Sequence, residues 1–596
     1  MVALGRSPSA RASRSHKLSS AVHSVIPALL ALNLSIAGYT MRLLLLLTAA
    51  VSVVQATIHP LDVLSNPHLR QIKRSHAVQP RDVTYPAHYL SVPVDHFHNE
   101  SRYEPHTDKK FPLRYWFDAQ YYEPGGPVFV IAAGETSGED RFPFLSQGIV
   151  TQLAEKYHGI GVILEHRYYG ESYPFDNLTT SNIRFLSTEQ AVADYAYFAS
   201  NVVLPGLEHV ELSPENTPWI AYGGSYAGAF VSFLRKLYPD VYWGSVSSSG
   251  VTAAIVDYWE YYEPIRQFGP EDCIHNTQTF VDIVDNLLIE HADNKTLKAE
   301  LLSSMGIPCD MKNEQFAGML SYGLDAWQSR SWDPAIGSPL FRQYCDNITS
   351  PDLLYPDTAA VRGAFESFIS IAGYDASDED LVTGILNHVG FLNTSVFAPS
   401  QSDLCPKNTT IHTAQLSSRK PQPLSKTSDV SWNYQVCTEW GYFQDGASVP
   451  ADIKPLISRL LTLENMSSFC KTLFGINTPP DTDRINQYGG FGFSYPRVAA
   501  IDGLADPWRP ATPHADVAPP RKSTIEEPFI LIEMEPEEVW DGAAGAVHHW
   551  EQNGLSKEEL ASGKRPPKAI VDVQKEVVHF IGKWLHQWLK RAAPDL

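Results

Sequence analysis

Basic charge is scarce in this chain. Across 596 residues, 46 Lys and Arg face 67 Asp and Glu, a formal net charge of −21. A surface of that sign repels phosphate backbones and speaks against nucleic acid as a partner. Cysteines are few, and the six present (Cys273, Cys309, Cys345, Cys405, Cys437 and Cys470) show no Cys-x-x-Cys spacing. A thiolate zinc site is therefore not expected. No internal repeat is visible. The apolar run Leu43–Leu47 after Met41-Arg42, closing on small residues at Ala56, is too short to span a bilayer comfortably. With 43% hydrophobic and 19% charged residues the chain is globular, and its length suffices for one large core plus a second domain.

What is present points to export. Met41-Arg42, the short leucine run and the small-residue end at Ala56 read as a secretory signal peptide. We read residues 1–56 as the signal region, with the true signal over 41–56. A second apolar stretch near Val25–Ile36 acts as an anchor only if translation begins at Met1, the one route to a membrane. Residues 57–84 read as a propeptide or linker, with Lys73-Arg74 as a processing pair or an exposed loop. An even cysteine count in a secreted chain implies disulfides, with about fifteen pairings open. Asn99, Asn177, Asn294, Asn347, Asn393, Asn408 and Asn465 each begin Asn-x-Ser/Thr, as an extracellular glycoprotein requires. A vacuolar or lysosome-like compartment is the alternative location.

From Tyr85 to Gly250 strand and helix patterns alternate. Phe129–Ala133, Gly161–Glu165, Trp219–Tyr222 and Val246–Val251 read as strands, and Glu189–Asn201 as a helix. That alternation predicts a mainly parallel sheet covered on both faces. From about Asp257 to Asn477 helical patterns dominate, as in Thr279–Ile289 and Ile453–Leu463, and all six cysteines gather there. Leu416–Asp429 reads as an exposed loop. Strands resume at Arg497–Ile501 and Phe529–Ile532. A closing helix carries Val573, Val577, Phe580, Ile581, Trp584 and Trp588, spaced for core packing rather than a membrane face. The expected division is 85–256 and 478–596 for the two halves of an α/β domain, with 257–477 as an inserted helical domain.

Gly223-Gly224-Ser225-Tyr226-Ala227-Gly228 is the most informative stretch. It follows the apolar Trp219–Tyr222 and precedes a helical pattern with Phe230, Phe233, Leu234 and Leu237 on one face. Strand, sharp turn and helix with serine at the apex form a nucleophile elbow. The strict pattern has glycine where Ala227 stands; the bland reading is an ordinary glycine-rich turn. An elbow requires an acid and then a histidine downstream. Asp502 and Asp506 compete for the first role, at the end of one strand and in the turn beyond it. His548 and His549 compete for the second, before the closing helix. The order Ser, Asp, His is that of α/β-hydrolases. Adjacent histidines rarely enter one coordination sphere and no further ligand cluster is evident, so neither metal nor cofactor is expected.

These residues resemble the serine peptidases typified by lysosomal Pro-Xaa carboxypeptidase and dipeptidyl peptidase II, including their secreted fungal members. The resemblance spans Tyr89 to the C-terminus. It rests on Val94-Asp95-His96-Phe97, the run from Leu164 to Ser172, Phe185–Ala191, the elbow, Cys437–Trp440, Gly503–Trp508 and the His pair. It implies an α/β-hydrolase fold whose inserted, disulfide-bearing helical domain caps the site. Ser225 is then the nucleophile, Asp506 the acid and His548 the base, and backbone N–H groups of Tyr226 and Glu135 hold the oxyanion. At the His pair Val547 precedes and Trp550-Glu551 follow, a departure from the family that keeps His549 in play. Glu165, His166 and Arg167 read as a structural network, because charges buried at a strand end must be paired. Glu439 is implied, through the family alone, as a holder of a substrate terminus.

The expected activity is cleavage after proline in peptides, in carboxypeptidase or endopeptidase mode. A dipeptidyl peptidase is the alternative within the family. Outside it stand an esterase or lipase on the same fold and a non-catalytic binding protein. A homodimer stays open.

Overall fold

The computed structural model describes residues 84–405, 424–535 and 543–592. The signal region, residues 57–83 of the linker, and the sequon at Asn408 lie outside the described residues.

The apolar runs form a single eight-stranded sheet. Its strands are β1 (His88–Pro93), β2 (Lys110–Asp118), β3 (Val128–Ala132), β4 (Ile160–Leu164), β5 (Trp219–Gly224), β6 (Gly244–Ser248), β9 (Val498–Gly503) and β10 (Phe529–Ile532), in the order β1-β2-β4-β3-β5-β6-β9-β10. The short β7 (Ile255–Asp257) and β8 (Gly441–Phe443) pair apart from it. From β4 to β10 every pairing is parallel, and β1 and β2 add antiparallel at one edge. Every residue of β3 and β4 is buried, the unbroken apolar run that a strand covered on both faces requires.

Helices cover both faces, among them α1 (Ile149–Tyr157), α2 (Thr188–Asn201) and α3 (Tyr226–Leu237). Helix α2 starts one residue before the expected Glu189 because the Ser187 side chain accepts from the Gln190 N–H and caps it. The last helix in the sheet layers spans Lys568–Ala592. It buries Val577, Phe580, Ile581 and Trp584 against the body, as core packing demands. Its Trp584 indole donates to the Ile525 carbonyl and its Trp584 carbonyl accepts from Trp243, tying the helix to the segments that lead into β10 and β6.

Between β6 and β9 the chain leaves the sheet. This stretch holds α4 (Glu271–Asp285), α5 (Glu379–Leu392) and α6 (Ser428–Gln435). Its neck is closed where β7 runs parallel to β8, Ile255 opposite Gly441 and Asp257 opposite Phe443. Disulfides join Cys273 to Cys345, Cys309 to Cys405 and Cys437 to Cys470, all within it.

Two expectations change. Ile453–Leu463 is not helical; the helix begins at Leu463, capped by the Thr462 side chain. Pro455 removes a donor from the earlier segment, and Arg459 ties its carbonyls at Val449, Pro450 and Ile453 into an irregular loop. Ser428 and Asp429, expected in a loop, open α6 instead, with the Thr427 side chain as cap. The described residues make this an α/β-hydrolase fold with a helical, disulfide-stapled excursion before its last two strands.

Candidate active site

Ser225 lies between β5 and α3 with φ +58° and ψ −128°, a left-handed conformation costly for a residue with a Cβ. The strain lifts its hydroxyl out of the strand line. Two close approaches make the turn feasible only for glycine: a Cβ on Gly223 would fall 2.1 Å from the Ala227 carbonyl oxygen, and one on Gly228 2.8 Å from the Gly250 Cα. Ala227 stands where the strict pattern has glycine. A Cβ at Gly134 would lie 3.2 Å from the Ala227 methyl, so glycine at 134 gives that methyl its room.

Loops from the carboxyl ends of three strands converge on this serine. His548, beyond β10, sets Nε2 3.0 Å from Ser225 Oγ, and its Nδ1 lies 2.8 Å from Asp506 Oδ2. A carboxylate only accepts, so Nδ1 carries the proton and Nε2 presents its lone pair to the serine hydroxyl. Asp506 is fully buried in the turn after β9, and its Oδ1 accepts from the Trp508 N–H at 2.9 Å. The competitors go elsewhere. Asp502 meets His514, whose ring stacks on Phe529. His549 turns toward Gly224 and donates its backbone N–H to Ser249 Oγ.

Tyr226 is the first residue of α3, so its N–H has no carbonyl one turn back to bond. Its side chain points away: the hydroxyl lies 2.9 Å from His166 Nε2, and the ring packs on Trp432 and Trp440. His166 Nδ1 faces the Arg167 carbonyl at 2.7 Å and must donate to it, so Nε2 accepts from Tyr226. Burial pushes the His166 imidazole down to about 4, which keeps it neutral.

Glu135, after β3, is the fourth component. Burial raises its carboxyl above the usual range, against the opposing pull of Arg141, its own backbone N–H and His548. Its Oε2 is buried with no hydrogen-bond partner. Arg141 in turn donates Nε to the Ala133 carbonyl and fixes that loop.

Glu165 and Arg167 are each paired as buried charge requires, Glu165 with Arg114 and Arg167 with Asp194. Glu165 accepts from Arg114 Nε and Nη2, the Gly138 and Glu171 N–H groups and Ser172 Oγ. Glu439 reaches Thr188 at the start of α2 through Oε1, which accepts from its N–H at 2.8 Å and its hydroxyl at 2.7 Å.

Sequence reading missed the props of the acid turn. Trp327 Nε1 donates to the Ala505 carbonyl at 2.7 Å, and Gln328 accepts from Trp508 Nε1 at 2.8 Å. Nothing local marks such partners, about 180 residues from the turn they hold. Of the sequons in view, Asn99, Asn177 and Asn294 are exposed, whereas Asn347, Asn393 and Asn465 are half-buried.

A strained serine between strand and helix, a buried histidine and a buried aspartate on later loops describe a serine hydrolase arrangement on an α/β-hydrolase sheet. Comparison narrows the class. Residues 93–327 and 374–519 match the serine carboxypeptidase S28 family. A probable extracellular serine carboxypeptidase of Arthroderma benhamiae is 44% identical over 545 residues, 91% of this chain and 74% of that protein. The serine protease vicPb of Bipolaris victoriae is 28% identical, covering 74% of this chain and 81% of its own. Thymus-specific serine protease of Mus musculus is 26% identical, over 74% and 80%. The chain belongs to the serine carboxypeptidase S28 family and is a serine peptidase.

Proposed function

We propose that this chain is a secreted peptidase that cleaves on the carboxyl side of proline, as a carboxypeptidase or endopeptidase, through an acyl-enzyme on Ser225. The observation that supports it most is the unbroken hydrogen-bonded line from Asp506 through His548 to Ser225. In this reading Ser225 Oγ attacks the carbonyl carbon after the P1 residue while His548 Nε2 takes its proton. Asp506 stabilises the imidazolium. The oxyanion is held by the Tyr226 N–H and, once its own carboxylate releases it, by the Glu135 N–H. His548 then protonates the departing amine, and a water activated by the same imidazole frees the acyl group. Residues 257–477 act as a cap over this centre, set on a body made of 85–256 and 478–596.

Proline at P1 is supported by the family resemblance; a buried aromatic cluster stands beside the acid. Trp508, two residues past the acid, stacks on Tyr258 with ring centroids 5.4 Å apart and meets Tyr442 at 5.1 Å. Secretion and the carboxypeptidase mode draw on the name of the Arthroderma relative. Glycosylation fits best at the exposed Asn99, Asn177 and Asn294. A dipeptidyl peptidase is the second reading, favoured by one feature: the unpartnered Glu135 oxygen beside His548 has the chemistry to receive a substrate ammonium.

The test is fluorophosphonate labelling of the wild type and of Ser225→Ala, followed by hydrolysis of acetyl-capped, free-amine and free-carboxylate proline peptides side by side. Labelling confined to the wild type, with cleavage after proline in peptides that retain a free carboxylate or are capped, is the expected result. Equal labelling of both proteins ends the Ser225 assignment. Cleavage only of free-amine peptides moves the assignment to the dipeptidyl mode.

A further inference from the structure

The loop between β1 and β2 gathers two imidazoles around a buried carboxylate. Its base is closed by the Val94 N–H donating to the Lys109 carbonyl at 2.9 Å. Inside the loop Asp95, His98 and His106 each offer one ligand atom, all within 4.8 Å of one another. The sequence shows no such cluster, because Asp-x2-His-x7-His matches no familiar metal spacing and depends on the loop folding back.

The oxygens of Asp95 are unequally used. Oδ1 accepts from the Phe97 N–H at 2.9 Å and from Gln190 Nε2 at 2.8 Å. Oδ2 faces the two imidazoles, 2.8 Å from His106 Nδ1. The His98 and His106 rings lie side by side with centroids 5.6 Å apart, at the open rim. The carboxylate of Asp108, fully exposed, stands 3.8 Å from His98 Nε2 and is within reach as a fourth donor. One carboxylate oxygen, two imidazoles and an outer carboxylate or water make a borderline-soft donor set. Zinc, copper and nickel ions favour such a set, whereas calcium and magnesium prefer oxygen alone. A ligating carboxylate is ordinarily oriented by outer hydrogen bonds, and Gln190 supplies one here from α2.

We propose that Asp95, His98 and His106 form a divalent transition-metal site of the zinc type, with Asp108 or water as fourth ligand, that fastens the β1–β2 loop to the start of α2. The site is separate from the Ser225 centre. An ion there joins His98 and His106 to Asp95, which accepts from Gln190 on a helix whose Asp194 also holds Arg167 and His96. Binding to the folded chain alone raises its stability by mass action. The role is structural, so peptide hydrolysis does not depend on it.

The full-length secreted protein, without a histidine tag, is stripped with chelator and titrated with zinc chloride by calorimetry and with cobalt chloride by visible absorption. We expect one equivalent of zinc bound, cobalt d–d bands typical of nitrogen and oxygen ligation, and a zinc-dependent rise in Tm. His98→Ala, at an exposed position that leaves folding intact, should weaken zinc at least ~10-fold and abolish the Tm shift, with peptide hydrolysis unchanged. His106→Gln should behave alike, and Asp108→Asn should weaken binding less. Absence of a stoichiometric site in the wild type overturns the proposal. So does zinc binding by His98→Ala that equals the wild type.

Discussion

Arg167 places all of its N–H groups without reaching water. Nε and Nη2 bind Asp194, Nη1 the carbonyls of Val94 and Phe185, and Nη2 also the Pro93 carbonyl. A guanidinium satisfied this completely is tolerable in a core; its partner left alone is not. Arg167→Met leaves the buried Asp194 carboxylate with its His96 contact alone, and thermal or urea unfolding should register a loss of roughly 3–5 kcal/mol. A loss under 1 kcal/mol would mean that water or a rearranged side chain reaches Asp194. At the site itself the Asp506 carboxylate fixes which imidazole nitrogen of His548 holds the proton. Asp506→Asn presents an amide that favours the wrong tautomer. On the proposed mechanism kcat should fall by about 10⁴ while KM moves little, read from steady-state kinetics on a proline peptide.

At the scale of elements, the strand–turn–helix around Ser225 is braced from the excursion between β6 and β9. Trp440 Nε1 donates to Thr188 Oγ1 and its ring meets Tyr226, one residue past the nucleophile. Cys437, three residues earlier, is fastened to Cys470 across 33 residues. Removing that closure restores freedom to the unfolded chain worth about 3–4 kcal/mol in the loop-entropy picture. The double variant Cys437→Ser, Cys470→Ser should therefore show a lower Tm by calorimetry and faster proteolytic nicking of the segment around Trp440. An unchanged Tm would show that packing alone holds this strut.

Across the whole molecule, acid has a place in the design. Glu551, next to the His pair and buried, is pushed up from 4.5 to about 7 by burial, with the nearby Asp502 raising it further and the Tyr222 hydroxyl opposing. A carboxyl whose folded value exceeds its unfolded one prefers to stay protonated in the native state. Its contribution is complete below about 4.5 and is lost as the pH climbs toward 7. The amount is on the order of 3 kcal/mol. Stability should fall between those limits, measured as Tm against pH, and Glu551→Gln should flatten the slope. The excess of acidic groups, −21 in formal charge, adds self-repulsion in the same direction, so the difference between the two proteins isolates Glu551. A mutant with the wild-type slope would remove Glu551 from the account.

Much of the architecture was written locally. Unbroken apolar runs gave β3 and β4, the glycines at 223 and 228 gave the elbow, and the spacing of Val577, Phe580, Ile581 and Trp584 gave the closing helix, because strand and helix periods and steric limits act over a few residues. Pro455 shows where periodicity misleads: the apolar spacing of 453–463 predicts a helix, whereas the segment is an irregular loop up to Leu463. Sequence alone also supplied the candidates Asp502, Asp506, His548 and His549. Which of them meet is visible only in the tertiary fold, where His548 stands between Asp506 and Ser225 while Asp502 meets His514. The same holds for the disulfide partners, the Trp327 and Gln328 props, and the meeting of Asp95, His98 and His106. Each depends on the distance between side chains brought together by chain closure, and no pattern of neighbours along the chain encodes that distance.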